Sequence, residues 1–306
     1  MSKARPANHH GLVVVDKPAG MTSHDVVGRC RRVFGQRQVG HGGTLDPSAT
    51  GVLLVGLGAA TRLLRFVAVL TKSYEAEVVL GVETSTLDAD GETVATHDMS
   101  GVTVEAVRAA TVGLVGEIDQ VPPMVSAVRV GGRRLYELAR EGAEVERAGR
   151  RVVVHRFDVE PGAATPPSGP LGPGPSVFRV SVDCSSGTYV RSLAADLGSA
   201  LGGGAHLRAL RRTAVGPFTL ARATPLDAVS PDAVMTPAEA VGHMPRVVVD
   251  TSTAAAVSHG AVLQRDSVAM AGEGPWAVVD DEGTLLAVYE SRPGATAKPS
   301  VVLAGR

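Results

Sequence analysis

The stretch from Gly35 to Gly51 holds five glycines and one proline. Glycine weakens a helix or strand by roughly 0.5–1 kcal/mol per position and an interior proline breaks one, so this stretch reads as loop-rich between its flanking elements. A single carboxylate stands in it, Asp46, followed by Pro47. Glycines on both sides let backbone approach a ligand closely, although an ordinary Asp-Pro turn would have the same composition. No Gly-Lys-Ser/Thr follows, which argues against a phosphate-cradling P-loop.

The flanks read as alternating strands and helices. Leu12–Asp16 is a short apolar strand ended by Lys17-Pro18, and Thr22 caps a helix carrying Val26, Val27, Cys30, Val33 and Phe34 on one face. Val52–Leu57 is a buried strand, Leu63, Leu64, Val67 and Leu70 mark a helix, and Ser73–Leu80 is a strand. A helix is predicted from Thr103 to about Val115. Val125–Val130 alternates into Gly131-Gly132, a hairpin signal, ahead of a short basic helix over Arg133–Arg140. Arg151–Val159 and Val177–Asp183 are strands around Pro161–Pro175, which has the composition of a disordered loop, and a helix runs from Val190 to Leu201. Beyond Arg246 the segments Val247–Val249, Trp276–Val279, Leu285–Tyr289 and Val301–Leu303 read as a small all-β module of about sixty residues. The pattern predicts an α/β (α+β) chain: a disordered tail over 1–10, a principal domain over 11–245 interrupted by a loop at about 161–175, and a β-rich module over 246–306.

Hydrophobic residues make up 44% of 306, as in a globular protein, and no apolar run approaches the ~20 residues of a membrane span. Met1–His10 lacks a signal-peptide core, which places the chain in the cytoplasm by default, and His9-His10 reads as part of a solvated tail. The two cysteines, Cys30 and Cys184, have no metal-ligand spacing and predict neither zinc nor a disulfide. Net charge is −1, yet only four of the 30 basic residues are lysines and the arginines cluster: 29, 31 and 32; 129, 133 and 134; 208, 211 and 212. Each cluster reads equally as a phosphate-binding face or as a solvated helix face.

The segment Gly40-His41-Gly42-Gly43-Thr44-Leu45-Asp46-Pro47-Ser48-Ala49-Thr50-Gly51 resembles the active-site motif of the TruB-type tRNA pseudouridine-55 synthases. Four further blocks resemble that family in family order. They are Gly11–Ser23, Lys72-Ser73-Tyr74, Cys184–Arg191 with Gly187-Thr188-Tyr189-Val190-Arg191, and Gly204–Arg212. Pro122–Ala127 resembles the start of the family's RNA-gripping insertion, here about 123–150. The resemblance implies a mixed, mostly antiparallel sheet with helices and a C-terminal PUA-like RNA-binding domain. It implies Asp46 as nucleophile, Arg191 beside it and Tyr74 as stacking platform and proton handler. It also implies Tyr189 and Leu210 at the uracil, His41 as a wedge in the RNA loop, and Lys17, Arg129, Arg133 and Arg134 at phosphates. Gly42 and Gly43 imply a flexible approach to Asp46.

The chemistry so implied breaks the N1–C1′ bond of uridine and rejoins the base through C5. Substrate and product are isomers, so no cofactor or metal is expected, and a nucleophile or base at the sugar or ring is. A base inside folded RNA must be flipped out and held by stacking. The expected partner is the T-arm of tRNA, with the protein acting as a monomer and without a protein partner. Two rivals stand beside this: a tRNA-folding protein without catalysis, and a synthase acting on another RNA. A hydrolase lacks a second carboxylate at recognisable spacing.

Overall fold

The computed structural model describes residues 8–126, 128–143, 145–161 and 176–303. The expected loop at 161–175 lies outside these apart from Pro161, as does the expected tail apart from residues 8–10. The chain forms two compact units. One comprises residues up to Pro47, Gly51–Val69 and Pro217 onward; the other comprises Ser48–Thr50 and Leu70–Gly216.

The first unit begins with β1 (Gly11–Lys17), α1 (Ser23–Val33), β2 (Val39–His41), β3 (Thr50–Leu57) and α2 (Leu64–Ala68). β1 and β3 pair antiparallel from Gly11↔Leu57 to Lys17↔Gly51, and β2 pairs antiparallel with β3. Both long strands are apolar on both faces because both faces are covered. α1 starts in a capping box: Thr22 Oγ1 accepts from Asp25 N, and the Asp25 carboxylate accepts from Thr22 N. Its apolar face, Val26, Val27, Cys30 and Phe34, packs on Val13, Val15, Leu53, Val55 and Leu57. Val33, expected on that face, lies 38% exposed at the helix end. His9 and His10 are also unlike a solvated tail. His9 exchanges main-chain hydrogen bonds with the Gln36 amide, and His10 Nδ1 accepts from Ala59 N at 2.9 Å.

The second unit contains β4 (Lys72–Leu80), the hairpin β5 (Val82–Thr84) and β6 (Thr93–Thr96), α3 (Val104–Thr111), and β7 (Gly116–Gln120). It continues with the hairpin β8 (Arg129–Val130) and β9 (Arg133–Arg134), α4 (Leu135–Arg140), β10 (Arg150–Pro161), β11 (Val177–Cys184), α5 (Val190–Ala200) and β12 (Ala205–Val215). The strand order β12-β4-β11-β10-β7 is antiparallel throughout. On β4, Tyr74, Ala76 and Val78 are buried, while Glu75 is exposed and Glu77 half-buried, so the alternation of the sequence holds. Arg208, Arg211 and Arg212 lie on β12, a strand, rather than on a helix face; two bulges interrupt that strand near them. α3 packs on β10 and α5 on β12.

The first unit resumes with the short strands β13 (Phe218–Thr219) and β14 (Thr224–Pro225), the latter parallel to β1, and with α6 (Pro237–Ala240). The C-terminal β-rich domain is a five-stranded sheet of β15 (Arg246–Val248), β16 (Leu263–Gln264), β17 (Trp276–Val279), β18 (Leu285–Arg292) and β19 (Thr296–Val302), in the order β15-β17-β18-β19-β16. It is not all-β as expected. A helix, α7 (Thr251–Ser258), is capped by the Asp250 carboxylate and packs Val257 into the core around Trp276 and Tyr289.

Gly198, on α5, is a point of close approach. A Cβ there would overlap Ala205 N and the Gly204 carbonyl carbon. Both obstacles are main chain at the start of β12, so they cannot rotate away. Gly198→Ala is therefore expected to destabilise the protein by about 1–3 kcal/mol, read as a lower urea midpoint at unchanged m-value.

Candidate active site

The loop bearing Asp46 is held on both sides of that residue. Ser23, in the first turn of α1, donates from Oγ to Leu45 O at 3.2 Å and accepts from Leu45 N at 2.9 Å. On the other side, Pro47 O accepts from Gly20 N at 2.9 Å and from Lys17 Nζ at 3.1 Å. Asp46 itself is half-buried between these two anchors. A backbone fixed at both neighbours presents the carboxylate from one place, which is what a reacting group needs.

Lys17 departs from the phosphate contact expected of it. Its side chain is fully buried, and Nζ also donates to Pro18 O at 2.9 Å and Met21 O at 2.6 Å. Three carbonyls match the three donors of an ammonium, so this lysine organises the loop from within. Gly42 likewise departs from the expected flexibility. Its N–H donates to Leu54 O at 2.9 Å, and a Cβ would meet Val67 at 3.2 Å and Leu64 at 3.3 Å. The position is hydrogen-bonded and closely packed. His41, at the end of β2, is half-buried.

In the second unit, Tyr74 is 8% exposed on β4, paired with Val182 of β11 and with Arg212 of β12. Arg212 is buried too, a placement its arginine cluster did not suggest. Leu210 pairs with Ala76 and lines a cavity of about 660 Å³, together with Thr50, Glu75, Arg179 and Arg211. Arg211 donates to Thr50 Oγ1 at 3.2 Å, and Arg208 pairs with Glu77 at 2.9 Å.

Arg191 sits in the first turn of α5, 3% exposed. It donates to Thr86 O at 2.8 Å and Val125 O at 2.9 Å, and Asp88 Oδ2 lies 3.4 Å from its Nη1. Asp88 is a residue that sequence reasoning missed. Its loop is ordered by its own polar groups: Thr86 Oγ1 donates to the carboxylate, Asp90 N donates to the same oxygen, and Thr84 Oγ1 donates to Asp88 O at 2.6 Å. Gln120 was missed as well. Its buried amide accepts from Tyr189 N at 2.7 Å and donates to Tyr189 O at 3.1 Å, fixing Tyr189 at the start of α5. No spacing marks either residue, since their partners lie far away in sequence.

Lys72 faces the same side of β4 as Tyr74. It is buried, donates to Leu70 O at 2.9 Å, and its ammonium is pushed down to about 8 by burial and by the Arg212 cation. Arg133 is exposed and bonded to Glu141. Arg129 and Arg134 pair across the β8–β9 hairpin through their backbones; their side chains, and that of Tyr136, lie outside what the structure describes.

Comparison with known proteins agrees along nearly the whole chain. Residues 31–190 match the family described as "TruB family pseudouridylate synthase (N terminal domain)", and residues 191–250 match "tRNA pseudouridylate synthase B C-terminal domain". The chain is 49% identical over 296 residues to the tRNA pseudouridine synthase B of Mycobacterium sp. (strain KMS), covering 96% of each chain. It is 47% identical to that of Thermobifida fusca (strain YX), covering 96% of this chain and 99% of the other. Among solved structures, a chain of a Cbf5-Nop10-Gar1 complex is similar with a TM-score of 0.68 at 27% identity, covering 99% of this chain and 91% of that one. A chain of an H/ACA RNP bound to a substrate RNA containing 2′-deoxyuridine is similar with a TM-score of 0.70 at 25% identity, covering 97% and 86%.

Two outcomes follow from the buried cations. Asp88→Ala removes the anion beside a buried guanidinium and is expected to cost on the order of 3 kcal/mol in urea unfolding, whereas an exposed pair would lose under ~1 kcal/mol. Lys72 binds its proton less tightly folded than unfolded, so the unfolded chain holds more protons between about 8 and the ordinary value of 10.5. Wild type should therefore gain stability relative to Lys72→Met as pH rises through that window. A difference that stays flat from pH 7.5 to 10.5 would contradict the assignment.

Proposed function

Because this chain belongs to the TruB family of pseudouridylate synthases, we propose that it converts the uridine at position 55, in the TΨC loop of tRNA, to pseudouridine, with Asp46 as the essential carboxylate. Formation of pseudouridine in tRNA is the activity that the names of its relatives support. The observation that carries the role of Asp46 is the double anchoring of its loop at Leu45 and Pro47. The reaction breaks N1–C1′, turns the uracil, forms C5–C1′ and releases the proton from C5. Asp46 serves it either by attacking the sugar or ring or by removing a sugar proton. In each case its carboxylate must be ionised, and a neighbouring guanidinium favours that form. Arg191 takes that role, held by Asp88 and two carbonyls.

Tyr74 stacks on the flipped uracil and handles the C5 proton. Leu210 closes the apolar side, and Tyr189 borders the site. His41 enters the RNA loop in place of the departed base. The insertion at about 123–150 brings Arg129, Arg133 and Arg134 to phosphates of the T-arm. Residues 11–245 form the catalytic domain, and 246–306 a PUA-like domain that contacts RNA. That domain carries seven acidic side chains (250, 266, 273, 280, 281, 282 and 290) against five basic ones (246, 265, 292, 298 and 306), so its grip depends on shape more than on phosphate attraction. The chain acts as a monomer on tRNA, without a cofactor or protein partner.

The test is tritium release from tRNA carrying 5-tritiated uridine, followed by mapping of the modified site. Wild type should release tritium at position 55 with no added cofactor, and Asp46→Asn should be slower by about 10³-fold or more while still binding the RNA. Release by Asp46→Asn at the wild-type rate would remove Asp46 from the mechanism. Tight binding without release by wild type would favour a tRNA-folding protein.

A further inference from the structure

The first turn of α1 meets the segment around Asp46 twice. Ser23 holds Leu45, and the next residue, His24, meets His41. The two imidazole rings lie with centroids 5.3 Å apart and planes at 83°, an edge-to-face pair. His24 is exposed, but its backbone lies inside the capping-box turn and is fixed by it. His41 lies between Gly40 and Gly42, which bring no side chains of their own to its flanks. Gly43 N–H points at His41 Nδ1 at 3.4 Å, a contact from the loop to the other side of the ring pair.

A side chain that must enter an RNA loop gains from being ordered beforehand, because ordering it on binding costs affinity. Ring–ring contact of this geometry restrains a rotamer that staggered torsions alone leave open. We propose that His24 is a positioning residue for His41, holding its imidazole in the orientation from which it wedges into the RNA. This rests on the reading of His41 as the wedge. His24 acts before the chemical step: it favours the state in which the base has left the stack, and it touches neither the uracil nor the sugar.

The experiment uses the full-length protein and a T-arm hairpin with 2-aminopurine beside the target uridine. Flipping is followed by stopped-flow fluorescence, and KM and kcat by tritium release. His24→Ala is expected to slow flipping and raise KM by about three- to tenfold with kcat changed less than twofold, the range that a ring–ring contact supports. His24→Phe should restore wild-type values, because it keeps a ring at the same place. On a His41→Ala background, His24→Ala should add nothing. Wild-type behaviour of His24→Ala, failure of His24→Phe to rescue, or full additivity with His41→Ala would each overturn the proposal. If wild type is active and His41→Ala costly while His24→Ala is silent, this inference falls alone. If His41→Ala is silent, the wedge reading falls and takes this inference with it.

Discussion

The buried ammonium of Lys17 ties together three pieces of chain: the end of β1, the turn into α1, and the residue after Asp46. Taking a charge out of water costs several kcal/mol. Three charge-assisted hydrogen bonds, worth about 1.5–3 kcal/mol each, offset that cost only while all three carbonyls stay in place. The cation thus penalises any movement of Pro47 or Met21. Ser23 continues the same arrangement from the helix side, and the capping box of Thr22 and Asp25 fixes the turn that carries Ser23 and His24. The loop that looks loose by composition is therefore held by side chains on both sides of Asp46.

The second unit uses the same device at the start of α5. Tyr189, Arg191 and Ser192 are consecutive or nearly so, yet their partners come from three places: Gln120 and Val121 at the end of β7, Val125 beyond it, and Thr86 with Asp88 after β5. A short helical turn is thereby held by strands and loops up to 105 residues away in sequence. Each partner is a polar group satisfied within the fold, so a change at one of them loosens several.

Much of the architecture was legible because burial imposes a period. β4 alternates, β1 and β3 are continuous apolar runs, and β17 spans the very residues, Trp276–Val279, that its pattern predicts. Gly131-Gly132 turns the β8–β9 hairpin as its composition requires, with both glycines at positive φ. The failures share a cause. β12 reads as an arginine-rich surface because its charged side chains reach Glu77 and Thr50 across neighbouring segments, and α7 is a helix of small residues with little amphipathic signal. In both, tertiary partners outweigh the local pattern.

For this protein the sequence by itself carried the family resemblance, the position of the one carboxylate in its glycine-rich segment, and those strands and helices whose burial imposes a regular period, because these depend on residue type and on local spacing. Only the tertiary structure decided that Lys17 is buried as an internal brace, that Gly42 is closely packed, that Asp88 and Gln120 support the start of α5, and that His24 meets His41. Those facts depend on which groups meet after distant segments close on one another. A buried polar group finds its partner by proximity in space, for which residue type and spacing carry no signal.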